Sequence, residues 1–163
     1  MLFRSVREGG AYERSIPKAW ERLVAWLQAS GLYKPIGRGY GLARGDPMKI
    51  RAESCWYDAC VVAESDTEGH AVGELGITTL PGGAYMRRRL FGSYEGINPI
   101  VASIYSDFEP LPGLALDESR PVVTVYIDNP EANSRDELRA DICVPVTAAS
   151  EFELLKFGAP ARV

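Results

Sequence analysis

Gly10-Ala11-Tyr12-Glu13-Arg14-Ser15-Ile16-Pro17 and Gly92-Ser93-Tyr94-Glu95-Gly96-Ile97-Asn98-Pro99 carry Gly, Tyr, Glu and Pro at the same four places, at one offset (92 − 10 = 82). Outward from these, Gly31-Leu32 returns as Gly113-Leu114 at the same offset. After one inserted residue, Pro47, Asp58, Cys60 and Val61 return as Pro130, Asp141, Cys143 and Val144 (143 − 60 = 83). Ten coincidences in one order exceed chance, and the chain reads as two copies of one unit, about 1–63 and 74–146, within a single domain over 1–146. The verbatim Gly9-Gly10-Ala11-Tyr12 and Gly82-Gly83-Ala84-Tyr85 falls outside this register (82 − 9 = 73).

Each unit reads strand, helix, strand, strand, which predicts an α+β fold with two main helices on an antiparallel sheet and an approximate twofold axis between the units. Ile16, Trp20, Leu23, Val24 and Leu27 form one apolar helix face, with Ser15 as N-cap and Gly31 ending the helix. Ile97, Val101, Ile104 and Phe108 repeat the pattern. Pro17 and Pro99 are placed in the first turns, where a missing N–H costs little. The β-favouring run Val122-Val123-Thr124-Val125-Tyr126-Ile127, stopped by Asp128-Asn129-Pro130, predicts a central strand. The last strands of the units are residues 55–62 and 141–146. Gly76–Leu80, Pro81-Gly82-Gly83 and Ala84–Arg87 read as a glycine-turned hairpin. Residues 147–163 form a C-terminal extension whose Glu151–Phe157 reads as a short amphipathic helix, capping an open sheet edge or touching a partner.

With 163 residues, 46% hydrophobic and 25% charged, the chain can bury its own core. No apolar run approaches the roughly 18 residues of a membrane span, and no signal-peptide core follows Met1, so a cytoplasmic protein without membrane contact is expected. The 18 basic and 22 acidic side chains leave −4, which repels a phosphate backbone and argues against direct nucleic-acid binding. Arg87-Arg88-Arg89 in a strand must point alternately to opposite faces. Three cysteines (Cys55, Cys60, Cys143) make no disulfide framework, and His70, in the acidic turn-like stretch 64–70, is a poor fourth metal ligand or triad member. No metal, cofactor or catalytic set is therefore expected, and there is no phosphate-cradling Gly-x-x-x-x-Gly-Lys run.

A twofold groove is the economical place for a ligand. On the central strand Thr124 and Tyr126 share a face with Val122, and the repeat register puts Gly41 and Ala43 opposite them. Bulk facing small residues leaves room for a guest, or else the small residues serve tight packing. Trp56, Tyr85, Tyr40 and Tyr94 are candidate aromatic walls. Asp58 and Asp141 share faces with Cys60 and Cys143 and read as symmetric structural carboxylates rather than an acid and a base.

These residues resemble the GyrI-like small-molecule-binding family, whose relatives include gyrase-inhibitory proteins and the effector domains of multidrug-sensing regulators. The resemblance covers residues 2–146 and rests on Val6–Glu13, Tyr57-Asp58-Ala59-Cys60, Pro81–Tyr85, Phe91–Gly96, Pro121–Pro130 and Ala140–Pro145 in this order and spacing. It implies a duplicated βαββ (SHS2-like) fold with a curved antiparallel sheet and a ligand groove on a pseudo-twofold axis for aromatic, cationic or amphipathic compounds. Many relatives have a glutamate two residues before the central-strand tyrosine, which meets cationic drugs or serves a hydrolytic branch acting on cyclopropane-containing natural products. Here that place is Thr124, with Tyr126 kept. A hydroxyl supplies neither charge nor general base, and Glu74, Glu95, Asp58 and Asp141 are the carboxylates left to substitute.

The leading expectation is a stand-alone, non-enzymatic binder of small lipophilic or aromatic molecules, cationic ones included, in a groove between the two repeats, through Thr124, Tyr126, Trp56, Tyr85, Tyr40 and Tyr94. The alternatives are a hydrolase of reactive genotoxic compounds and a protein-interaction module such as an inhibitor of DNA gyrase.

Overall fold

The computed structural model describes residues 2–34, 38–63 and 76–149. The stretch 64–70, Glu74 and the 151–157 segment lie outside the described residues. Among the described residues eight strands and two α-helices follow one another: β1 (Leu2–Gly9), α1 (Tyr12–Ala29), β2 (Gly39–Arg44), β3 (Trp56–Val62), β4 (Gly76–Thr79), β5 (Tyr85–Phe91), α2 (Ile97–Asp107), β6 (Leu114–Leu116), β7 (Val122–Tyr126) and β8 (Arg139–Ala148). All pairings are antiparallel, in the order β4-β1-β3-β2-β7-β8-β5, with β6 paired to the far end of β8. The β-branched run at 122–126 lies in the middle, between β2 and β8.

The helices and the sheet share one core. Ile16, Ala19, Leu23 and Leu27 of α1 and Ile97 and Val101 of α2 pack with Val6, Ala43, Tyr57, Ala59, Val122, Tyr126 and Ile142. A second cluster of Phe3, Leu42, Cys60 and Val123 occupies the opposite face. Period-two alternation along each strand produces this division, so neighbours in sequence such as Trp56 and Tyr57 look opposite ways.

Helix α1 begins earlier than expected. Gly10, at φ +112°, turns the chain straight out of β1, and Tyr12 is already helical so that its hydroxyl donates to the Gly45 carbonyl at 2.7 Å. Ser15 is therefore no cap but a buried residue inside the first turns, its Oγ without a partner. Pro17 falls in the second turn, freeing the Glu13 carbonyl from the helix ladder. Pro99 does lie in the first turn of α2.

The expected hairpin is absent. β4 pairs with β1 and β5 with β8, at opposite edges of the sheet. Seven strands in a flat path would be about 29 Å across at ~4.8 Å per step. The six steps from Thr79 to Tyr85 reach only about 20 Å, so the sheet must curl until its edges approach. Leu80 and Tyr85 pack in the second cluster, so the link crosses the face away from the helices. Arg120 holds it there, donating to the carbonyls of Gly82, Ala84 and Val146 and to Asp117. A β-carbon on Gly83 would lie 2.2 Å from the Arg120 guanidinium, which explains the bare backbone. The glycines serve a crossing, a role that local turn chemistry cannot distinguish from a hairpin.

Candidate functional site

The seam between β2 and β7 pairs Gly41 with Thr124, the residues that the repeat register makes equivalent. Contacts recur about it at the same offsets. Arg7 clasps Asp58 with Nε to Oδ1 at 2.7 Å, and Arg89 clasps Asp141 likewise. Tyr12 donates to the carbonyl of Gly45 and Tyr94 to that of Asp128.

On the helix side of the seam, the space above Gly41 is not empty. Tyr57, fully buried, lays its phenol over the glycine so closely that a β-carbon there would sit 1.9 Å from the hydroxyl. The expected room for a guest beside Gly41 is filled by this ring, and tight packing is the role of the glycine. The Trp20 indole donates to the Tyr57 hydroxyl at 2.9 Å, which lies 3.1 Å from the Tyr126 hydroxyl. The Tyr126 ring meets Trp20 and Tyr94 edge-on, with centroids 5.2 and 4.9 Å away. Burial pushes the Tyr57 phenol well above its ordinary range and that of Tyr126 up to about 12, so both hold their protons at neutral pH. Among the described residues the neighbours that act on them are each other, Trp20, Tyr94 and Cys60, with no carboxylate among them. Trp20 and Tyr94 are half-buried and open the cluster to solvent.

The six residues singled out from sequence do not form one wall. Thr124 (1% exposed), Tyr126 and Tyr94 belong to the helix side. Tyr40, Trp56 and Tyr85 belong to the opposite face. There Tyr40 packs on Phe3 at 4.9 Å, Trp56 lies 3.9 Å beneath the Arg7 guanidinium, and Tyr85 lies beneath Arg120 and donates to the Pro81 carbonyl. Sequence reasoning missed Tyr57 and Trp20. Strand parity carried the signal for Tyr57, which alternates with Trp56 and so must face the helices. Its counterpart is Ala140 (140 − 57 = 83), the same large-to-small exchange as Tyr126 with Ala43.

Of the carboxylates considered as substitutes, the three among the described residues are placed elsewhere. Asp58 and Asp141 are spent on arginines of the face away from the helices, and Glu95 is an exposed residue that pairs with Arg135. Among the described residues no group of His, Cys, Asp and Glu could hold a metal ion, and no helix is long and apolar enough to cross a membrane. The three cysteines are free, Cys55 and Cys60 buried and Cys143 partly so.

Comparison with known proteins agrees with this geometry at the level of fold. The model of the GyrI-like small molecule binding domain matches residues 2–147. No curated protein matches the sequence. An uncharacterized conserved protein from Listeria innocua superposes with a TM-score of 0.51 at 14% identity, over 90% of this chain and 88% of that one. A hydrolase from Listeria innocua does so with a TM-score of 0.52 at 14% identity, over 90% and 87%.

Proposed function

The chain belongs to the family of GyrI-like small-molecule-binding domains, and from that premise we propose that it binds neutral, lipophilic aromatic molecules at the seam, against Trp20, Tyr94 and Tyr126, without chemically changing them. The observation that carries this reading is the uncharged aromatic cluster around the Gly41–Thr124 pair. Rings offer edges and faces to a planar guest, and the half-buried Trp20 and Tyr94 are the ones it would meet first. A cationic guest would leave water for a site whose phenols meet no carboxylate, a poor exchange. Hydrolysis needs a base, and Thr124 offers only a hydroxyl. The duplication read from the sequence is consistent with two units meeting at this seam.

The test is a titration with 1-naphthol and, separately, ethidium, reading tryptophan emission and melting temperature. Saturable binding of naphthol that Tyr126→Ala removes, with weaker ethidium binding and both compounds recovered unchanged, is the expected result. Preference for ethidium overturns the neutral-guest reading. Indifference to both overturns seam binding altogether, and a probe converted at a rate that Tyr126→Phe abolishes would replace binding by catalysis.

A further inference from the structure

A cleft of about 230 Å³ opens where β2 ends and β7 begins, outside the seam cluster. We infer that it is a second binding site, for a small planar aromatic carboxylate whose ring lies between Trp56 and Tyr105 and whose carboxylate meets Arg44. The volume falls below the roughly 300–1,000 Å³ of pockets for drug-sized ligands, which limits the guest to one or two fused rings. Both walls are held in place. Trp56 has the Arg7 guanidinium on its ring at 3.9 Å, and the Tyr105 hydroxyl donates to the Ala43 carbonyl at 3.3 Å, fixing that ring from α2.

The lining charges balance, Arg44 and Lys49 against Asp46 and Glu118, and Arg44 is the cation open to a guest. Arg44 is exposed, stands directly opposite Trp56 in the β2·β3 register, and has no carboxylate partner among the described residues. Of the two carboxylates of the cleft, Asp46 is buried and Glu118 is ion-paired. Asp46 accepts the Met48 backbone N–H at 2.9 Å, and Glu118 holds Lys49 at 2.7 Å. The Lys49–Glu118 pair joins the two loops that line the cleft, and its side chains are 64% and 51% exposed, so little holds it closed. An entering carboxylate competes with Glu118 for Lys49 and gains a second cation. An aromatic carboxylate satisfies both features of the cleft at once: planar walls for the ring and positive charge for its substituent.

Indole-3-acetate and its neutral analogue indole-3-acetamide are suitable probes, read on the three tryptophan indole N–H signals of ¹⁵N-labelled protein, with Trp56 assigned through Trp56→Phe. The acid should move the Trp56 signal saturably and bind about tenfold more tightly than the amide. Arg44→Gln should reduce the acid to the affinity of the amide. Glu118→Gln, which releases Lys49, should tighten the acid several-fold, a gain that a damaged fold cannot produce. Equal affinity of acid and amide, or an unchanged acid affinity in Arg44→Gln, overturns the assignment. A response confined to Trp20 places the guest at the seam and overturns this site. Silence at Trp56 overturns it and leaves the seam to be judged on naphthol.

Discussion

Arg7 with Asp58 in the first half of the chain, and Arg89 with Asp141 in the second, close the same two-pronged ion pair, yet the residues that face the seam between the halves differ. Gly10 and Gly92 turn at φ +112° and +123°, and their amides donate to the carbonyls of Cys55 and Leu138. At the seam, by contrast, Gly41 meets Thr124, Ala43 corresponds to Tyr126, and Tyr57 corresponds to Ala140. Contacts that end on backbone or lock neighbouring strands recur because both halves need the same frame. Side chains that meet at the seam between β2 and β7 converge on shared space, so a ring on one side leaves no room for a second ring opposite it. The frame is kept alike, and the seam is where the halves are free to diverge.

The largest effect is expected from making the seam more alike. Gly41→Ala drives a β-carbon into a buried phenol and should cost about 2–3 kcal/mol, whereas Thr124→Ala at the paired position should cost about 1 kcal/mol. Urea unfolding measures both. Equal costs would mean that Tyr57 moves aside freely and that the asymmetry has no energetic weight. A smaller contrast is expected in the recurring frame. Asp58→Ala should cost about 2 kcal/mol and Asp141→Ala about 1, because the Asp58 carboxylate is the more deeply buried and its arginine also covers Trp56. A reversed order would show that Arg87, the second cation near Asp141, outweighs burial.

The smallest effect is acid-dependent. In the second half, hydrogen bonds from Ser119 and Arg120 hold Asp117 at about 2, and Arg89 and Arg139 hold Asp141 and Asp128 below the usual carboxylate range. Groups depressed in the folded state stabilise it fully above their unfolded value, near pH 4, and lose that contribution as pH falls through the folded value. The melting temperature should therefore decline between about pH 4 and pH 2. Asp117→Asn should flatten the lower part of that decline and loosen the crossing at 82–84, seen as faster amide exchange there. An unchanged acid limb would remove Asp117 from the account.

Part of the geometry at the seam is legible in the sequence. Thr124 and Tyr126 share the helix side as parity requires, and the register of Gly41 against Thr124 follows the repeat offset. The separation of Trp56, Tyr40 and Tyr85 from them, on the opposite face, was not legible. Motif position says nothing about which face a residue takes, and parity had been applied to Thr124 and Tyr126 but not across strands. Tyr57 was passed over for its neighbour Trp56, although alternation already separated the two.

By itself the sequence indicated two helices, the strand at 122–126 and the alternation of faces along it, because these follow from spacing along one segment. Only the tertiary structure decided that β4 and β5 part to opposite edges, that Gly82-Gly83 passes beneath Arg120, and that the space over Gly41 belongs to Tyr57. Each of these depends on which distant segment offers a partner. A backbone edge, a guanidinium or a ring arrives from elsewhere in the chain, and spacing along one segment does not encode it.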